Sequence, residues 1–162
     1  MKHKNLESWV LRLLLGIIIT CWLITIGGTQ IFAMESTPPG MNDKGEVIDS
    51  KKVEQGHGTK VKGLNDWEGE ITGKLAPNSR FTQLQIGMPL QQVIDIIGSP
   101  TDQGSYVTGK AWIPFYHGSD KTRYELVYKG QGRLVFSGAS GFTGGGYFLT
   151  WIIHNANESG YR

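Results

Sequence analysis

The chain has 162 residues, of which 39% are hydrophobic and 19% are charged, as is typical of a globular protein with one domain. Its formal net charge is +2, but three basic residues lie in the first 33 positions, and the remaining 129 carry 13 basic and 13 acidic side chains. A neutral domain disfavours a general nucleic-acid binder, which relies on a basic surface. Cys21 is the sole cysteine, which excludes an intrachain disulfide and a zinc site made of cysteines.

Residues 1–33 have the layout of an export signal. Two lysines precede an apolar stretch over residues 13–26, and Ala33 offers a small residue for cleavage. The same stretch can be extended to residues 9–26, a window of 18 residues that includes one arginine, which is the lower limit for a helix that spans a bilayer. A retained membrane anchor is therefore the alternative to a cleaved signal.

A third interpretation makes Cys21 the acylated residue of a lipoprotein. It is disfavoured, because Thr20 is a poor residue before a modified cysteine and the apolar run continues past this position. All three interpretations place residues 34–162 outside the cytoplasm, since the basic residues precede the apolar run.

Residues 34–76 are predicted to form a flexible tether or arm. The part from 34 to 63 contains no Phe, Trp or Tyr, and its apolar residues are isolated, so it buries too little surface to offset its ordering entropy. Trp67 and Ile71 indicate a short strand or an arm that lies on the domain. The folded domain is predicted to span residues 77–162.

The clearest local pattern predicts a helix that begins near Pro89. Its apolar residues recur at the spacing of one helical face, Pro89 suits the first helical position, and Gly98 followed by Pro100 ends the helix. Val93 and Ile97 should face the sheet. Asn78 or Ser79 is expected to cap a shorter helical turn just before it.

Alternating aromatic and β-branched residues after the helix predict strands over 110–116, 123–128, 133–137 and 147–154. Glycine-containing turns between them indicate an antiparallel meander. The element order therefore predicts an α+β fold in which two short helices pack on a three- to four-stranded antiparallel sheet.

Motifs that would carry chemistry have simpler explanations. Residues 104–111 match the glycine and lysine spacing of a phosphate-binding loop, but Ala111 replaces the hydroxyl residue that would hold magnesium, and a strand follows. His117 is adjacent to Ser119 and Asp120 in a predicted turn, which rarely gives the geometry of a triad. His117 and His154 lack further ligands at metal-binding spacing. No cofactor is expected.

The stretch from Phe81 to Thr101 resembles the SmpA/OmlA (BamE-like) family of outer-membrane assembly lipoproteins. Its pattern is an apolar residue followed by Gly-Met, then Gln-Val, then Ile-Gly-x-Pro, and then an aromatic strand. β-Lactamase inhibitor proteins contain a similar unit. The resemblance covers residues 77–162, and the residues that fit the pattern are Gly87, Met88, Gln92, Val93, Gly98, Pro100 and Trp112.

The resemblance implies two helices on an antiparallel sheet and a scaffold without catalytic activity. It implies envelope proteins as partners, outer-membrane assembly components among them, and contact with anionic lipid. Carried over from the family, the partner-binding residues are Gln85, Ile86 and Met88. Packing of Ile86 and Met88 at the end of the core is the alternative role for these two residues.

The sequence thus predicts an exported binding or scaffold module, either in the periplasm or anchored in the inner membrane with a periplasmic domain. An inhibitor or chaperone of a soluble periplasmic enzyme is one alternative. The alternative from another class is a small periplasmic hydrolase that uses His117 or His154.

Overall fold

The structure is a computed structural model that describes residues 37–108, 122–138 and 145–162. Within these ranges the chain forms one α-helix and six β-strands, together with two short 3₁₀ turns at Leu64–Asp66 and Arg80–Gln83. In chain order the helix and strands are β1 (Thr59–Lys62), β2 (Glu68–Thr72), α1 (Leu90–Ile97), β3 (Asp102–Val107), β4 (Thr122–Tyr128), β5 (Gly132–Gly138) and β6 (Tyr147–His154).

All six strands form one sheet in the order β1-β2-β6-β5-β4-β3. The pairing of β2 with β6 is parallel, with Glu70 opposite Trp151, and the other pairings are antiparallel. The predicted three- to four-stranded antiparallel sheet is therefore wrong: the described residues form a six-stranded mixed sheet. Three of the described strands are not among those predicted. Strands β1 and β2 come from the predicted tether, where Ile71 and Val61 are the only large apolar residues in strands, and β3 lies between α1 and the strand predicted over 110–116.

The second predicted helix is also wrong, because the residues after Ser79 form a single 3₁₀ turn. The Ser79 hydroxyl accepts a hydrogen bond from the Phe81 amide at 3.2 Å, as expected of a cap. Phe81 and Leu84 are both buried, and their spacing of three residues matches the period of a 3₁₀ turn. Leu84 is already extended, with ψ at 151°, so the turn ends there.

Helix α1 confirms the predicted phase. Val93 and Ile97 are 0% and 1% exposed, and they pack against the sheet. Gly98 ends the helix with φ at 84°, where its amide donates to the Ile94 carbonyl at 2.8 Å. The Tyr128 hydroxyl donates to the Gly98 carbonyl at 2.9 Å, which ties this end of the helix to β4.

The main core lies between α1, the 3₁₀ turn before it and one face of the sheet. Because side chains alternate along a strand, every second residue of β4 and β5 enters this core. In β6 a bulge opposite Val135 and Phe136 interrupts the alternation, so that Leu149 and Ile152 enter the same core although they are three positions apart. Its buried members are Phe81, Leu84, Ile86, Met88, Val93, Ile97, Leu126, Tyr128, Leu134, Phe136, Leu149 and Ile152.

The opposite face of the sheet is covered by residues 37–58, here called the strap. Val47 and Val53 of the strap are buried, and they pack against Val135, Trp151 and Ile153 in a second apolar cluster. This part of the predicted tether therefore contributes buried surface, although its apolar residues are few. Both faces of the central strands are covered as a result.

Glu70 of β2 fastens the end of the strap. The residue is 3% exposed, and its carboxylate accepts hydrogen bonds from the amides of Gly56 and Gly58 at 2.7 and 2.6 Å. The Thr72 hydroxyl donates to the same carboxylate at 3.0 Å and accepts from the Trp151 indole at 2.9 Å. A buried carboxylate is thus satisfied by three donors.

Arg133 of β5 holds the last residues of the chain over the same face. Its guanidinium forms two hydrogen bonds with Glu158, at 3.0 and 3.1 Å, and further bonds with Glu125 and the Tyr161 carbonyl. Although burial raises the pKa of Glu158, hydrogen bonds from Arg133 and Ser50 hold that pKa below its ordinary value.

Several predictions lie outside the described residues. These are the export signal or anchor over 1–33, the strand over 110–116 with Trp112, and the turn that contains His117. In the described ranges, no helix is long and apolar enough to cross a membrane.

The packing of α1 predicts a sharp contrast between two substitutions. Val93→Asp would place an unpaired carboxylate in the core, which costs several kcal/mol and should unfold a domain of ordinary stability. Gln92→Asp introduces the same charge on the exposed side of the first helical turn, where the helix dipole favours it. Thermal melts followed by circular dichroism should show lost cooperativity for Val93→Asp alone. Equal melting temperatures for the two variants would contradict the packing described for α1.

Candidate functional site

The structure separates the three predicted partner-binding residues. Gln85 is exposed, whereas Ile86 and Met88 are 3% and 8% exposed and belong to the main core. The Gln85 amide donates to the Met88 sulfur at 3.4 Å, so Met88 folds back under the chain. Only Gln85 offers its side chain to a partner without opening the core. That these residues bind a partner stays a prediction.

The chain around Ile86 is joined to two parts of the sheet. The Leu64 amide, just after β1, donates to the Ile86 carbonyl at 2.8 Å. The Gly87 amide donates to the Leu149 carbonyl at 2.8 Å, and the Leu149 amide donates to the Met88 carbonyl at 2.9 Å. These bonds fix the position of Gln85 beside the outer edge of β1.

Gly87 is required in this segment. Its φ is 88°, in the left-handed region that favours glycine, and a Cβ there would overlap the Leu64 carbonyl oxygen and approach Trp67. The Gly-Met pair of the sequence motif therefore has a structural role. The glycine permits the close approach to β1, and the methionine fills the core.

Strand β1 is an edge of the sheet, and half of its main-chain groups point away from β2. The Gly63 amide donates to the Trp67 carbonyl at 2.8 Å, which sets the alternation: Thr59 and Val61 bond to β2, while Lys60 and Lys62 point outward. The amide of Leu64 also points outward, and it donates to the Ile86 carbonyl. Among the described residues, nothing pairs with the outward amides and carbonyls of Lys60 and Lys62.

Two hollows flank this edge, one on each face of the sheet. The first, of about 350 Å³, lies on the core side and is called here the core-side hollow; its lining combines apolar side chains, among them Val61, Ile71, Leu84, Ile86 and Ile152, with Lys62, Gly63 and Gln85. The second, of about 370 Å³, lies on the strap side and is lined by Gln55, Lys60, Val61, Lys62, Glu68, Gly69 and Glu70. Lys60, Val61, Lys62, Gln85 and Ile86 are named here the β1 edge site.

The charges of the β1 edge site lie on one face. Lys60 and Lys62 are two residues apart, so their side chains both project toward the strap side, opposite Glu70 and Glu68. The carboxylate of Glu70 already accepts three hydrogen bonds. Within the described part of the chain, neither lysine forms a salt bridge.

A larger trough of about 520 Å³ lies on the strap side between the strap and the end of the chain. Its arginines are engaged within the protein. Arg123 donates to Gln55 at 2.8 Å, Arg133 is paired with Glu158 and Glu125, and Arg162 contacts Asp102 at 3.4 Å. The two other charged residues of its lining, Lys51 and Glu54, have opposite signs, whereas Lys60 and Lys62 of the β1 edge site have the same sign.

His154 does not form a catalytic arrangement with the described residues. It is 7% exposed, its Nδ1 has no hydrogen-bond partner there, and its ring lies 5.9 Å from the Phe81 ring. Burial lowers its pKa. No group of three or more metal-ligating side chains occurs in the described ranges. His117, the other predicted hydrolase candidate, lies outside them.

Comparison of the chain with known proteins finds no matching family model, no matching curated protein and no matching solved structure. The resemblance to the SmpA/OmlA family therefore stays a prediction from the motif residues alone.

Lys60 and Lys62 are not among the residues predicted from the sequence, although a pattern for them exists. Lys-Val-Lys at 60–62 is followed by Glu-Gly-Glu at 68–70, and an antiparallel hairpin places these opposite charges across from each other. Complementary charges around a Gly-Leu-Asn-Asp connection indicate a hairpin even where apolar residues are scarce.

The open edge predicts a contrast in amide hydrogen exchange along one strand. The Val61 amide bonds to β2, so it should exchange roughly 100-fold more slowly than an unstructured amide. Lys60 and Lys62 should exchange at nearly the unstructured rate, because their amides face outward. Residue-resolved exchange measured by NMR on the unliganded protein tests this. Equal protection of all three amides would show that another segment covers the edge.

Burial of His154 predicts a loss of stability in mild acid. The unfolded state takes up a proton as the pH falls through about 6.5, whereas the folded state resists protonation until lower pH, so the free energy of unfolding decreases in between. Urea unfolding at about pH 7.5 and about pH 5.5 should show this decrease, and His154→Gln should reduce it. An unaltered pH dependence in His154→Gln would refute this assignment.

Proposed function

We propose that this protein is a binding and scaffold module of the cell envelope, facing the periplasm and without catalytic activity, which holds a protein partner at the β1 edge site. The observation that carries the proposal is the open edge of β1 beside the core-side hollow, whose lining includes Gln85 and several apolar side chains. A sheet edge with unpaired main-chain groups is a ready surface for another chain.

Two further features support the location and the class of partner. Residues 1–33 have the basic, apolar and small-residue layout of an export signal or anchor, which directs the rest of the chain across the inner membrane. The motif from Gly87 to Pro100 resembles the SmpA/OmlA family, so outer-membrane assembly components are the partners we propose first. Contact with anionic lipid is the second interaction that this resemblance suggests.

Site-specific photocrosslinking tests the partner surface. A photoreactive phenylalanine analogue at Gln85 should capture an envelope protein in the cells that naturally make this chain, because Gln85 lines the core-side hollow. The same analogue at Gln92, exposed on α1, is the matched control and should capture far less. Mass spectrometry identifies the captured protein. Equal capture from both positions, or capture of cytoplasmic proteins only, would overturn the proposal.

A reporter fusion tests the location. Alkaline phosphatase fused after Arg162 should be active in a bacterial host, because the enzyme requires export, and deletion of residues 9–26 should abolish that activity. The mass of the mature protein then separates cleavage after Ala33 from retention of the apolar segment. An active fusion that lacks residues 9–26, or an inactive full-length fusion, would contradict the proposed location.

A further inference from the structure

The open part of β1 has a defined length and two defined ends. At one end the Leu64 amide is taken by the Ile86 carbonyl, and at the other the Gly58 amide is taken by Glu70. Between them lies β1, four residues long, which spans about 13 Å at the usual rise of a strand. The edge therefore has room for a short extended segment of roughly four or five residues.

A segment added to β1 would find different surroundings for its alternate side chains. On the core side it would meet the apolar side chains of Val61 and Ile86 in the core-side hollow. On the strap side it would meet the ammonium groups of Lys60 and Lys62, which have no ion pair among the described residues. An alternation of apolar and acidic side chains complements both faces at once.

From these observations, and resting on the proposed function, we propose that the β1 edge site binds an extended segment of a partner protein in which apolar and acidic residues alternate, and that this segment adds to the sheet as a seventh strand. The outward amides and carbonyls of Lys60 and Lys62 form the ladder. Apolar side chains of the segment enter the hollow bordered by Gln85, and its carboxylates pair with the two lysines.

A second copy of this chain is a poorer occupant of the same edge. If two β1 strands paired antiparallel through their outward groups, Lys60 of one copy would lie opposite Lys62 of the other on the same face. Like charges directly opposite each other destabilise a sheet. The two lysines therefore act against self-association and in favour of an acidic strand.

Binding of synthetic peptides to the full-length protein in mild detergent tests the proposal. The probe is fluorescein-labelled Val-Glu-Val-Glu-Val, and its counterpart carries lysine in place of glutamate; fluorescence anisotropy measures both. We expect the acidic peptide to bind roughly ten-fold more tightly, as two favourable charge contacts of ordinary strength would give. Double substitution Lys60→Glu and Lys62→Glu should reverse the preference. Lys129→Glu, the same change at an exposed position in the β4–β5 turn, should preserve it.

Main-chain pairing is tested separately from charge. Lys60→Pro removes an outward amide that makes no bond to β2, a position where an edge strand tolerates proline, and it should abolish binding of both peptides with little change in melting temperature. A peptide methylated on the amides that would face β1 should also fail to bind the unaltered protein, which makes the result independent of how Lys60→Pro folds.

Unchanged binding by the methylated peptide or by a folded Lys60→Pro protein would overturn strand addition. An equal affinity for acidic and basic peptides, or no binding of either, would overturn the proposed segment. A dimer that Lys60→Pro dissociates would make a second copy the occupant and would also overturn it.

Crosslinking from Gln85 distinguishes failure of this inference from failure of the proposed function. If crosslinks persist in cells that make the Lys60→Pro protein, the binding function stands and this inference fails. Absence of crosslinks from Gln85 in the unaltered chain refutes the function itself.

Discussion

The buried guanidinium of Arg133 is the group on which the second face of the sheet depends. The first face is covered by a helix that satisfies its own main chain, but the second is covered by irregular segments that need other partners. Arg133 holds the end of the chain through Glu158 and the Tyr161 carbonyl, and Glu158 is joined to Ser50 of the strap. Loss of one member of such a buried pair costs about 3–5 kcal/mol, because it leaves the other charge unpaired.

The β1 edge site exists because of how the strap ends. Glu70 binds the amides of Gly56 and Gly58, so the strap stops beside β1 and leaves its outer side free of described neighbours. The same contacts engage the carboxylate that lies across from Lys60, which leaves the charge of that lysine for another molecule. The buried carboxylate of Glu70 therefore holds the strap over one face of the sheet and also leaves the outer edge of β1 open.

The elements that the sequence predicts correctly are those whose stability is local or strongly patterned. Helix α1 is predicted by the spacing of its apolar residues and by Gly98 at its end. Strands β4, β5 and β6 are predicted by their alternation of side chains. The strap, β1 and β2 could not be predicted from composition, because contacts with distant residues stabilise them, such as Val53 on Trp151. At the candidate site, the family resemblance points to Gln85 and Ile86, but it does not distinguish the exposed residue from the buried one and does not include the two lysines.

The parallel pairing of β2 with β6 has a consequence for the order in which the protein folds. Thr72 and Trp151, which are joined by a hydrogen bond, are 79 positions apart in the chain. The ribosome therefore synthesises the hairpin of β1 and β2 long before β6, its neighbour in the sheet. Contacts of such separation form slowly, since a long loop must close first. Until β6 arrives, the hairpin has two open edges instead of one, and the inner edge lacks the lysine side chains that discourage pairing. The newly made chain is therefore most prone to aggregation during this interval, and a factor that holds the hairpin would protect it.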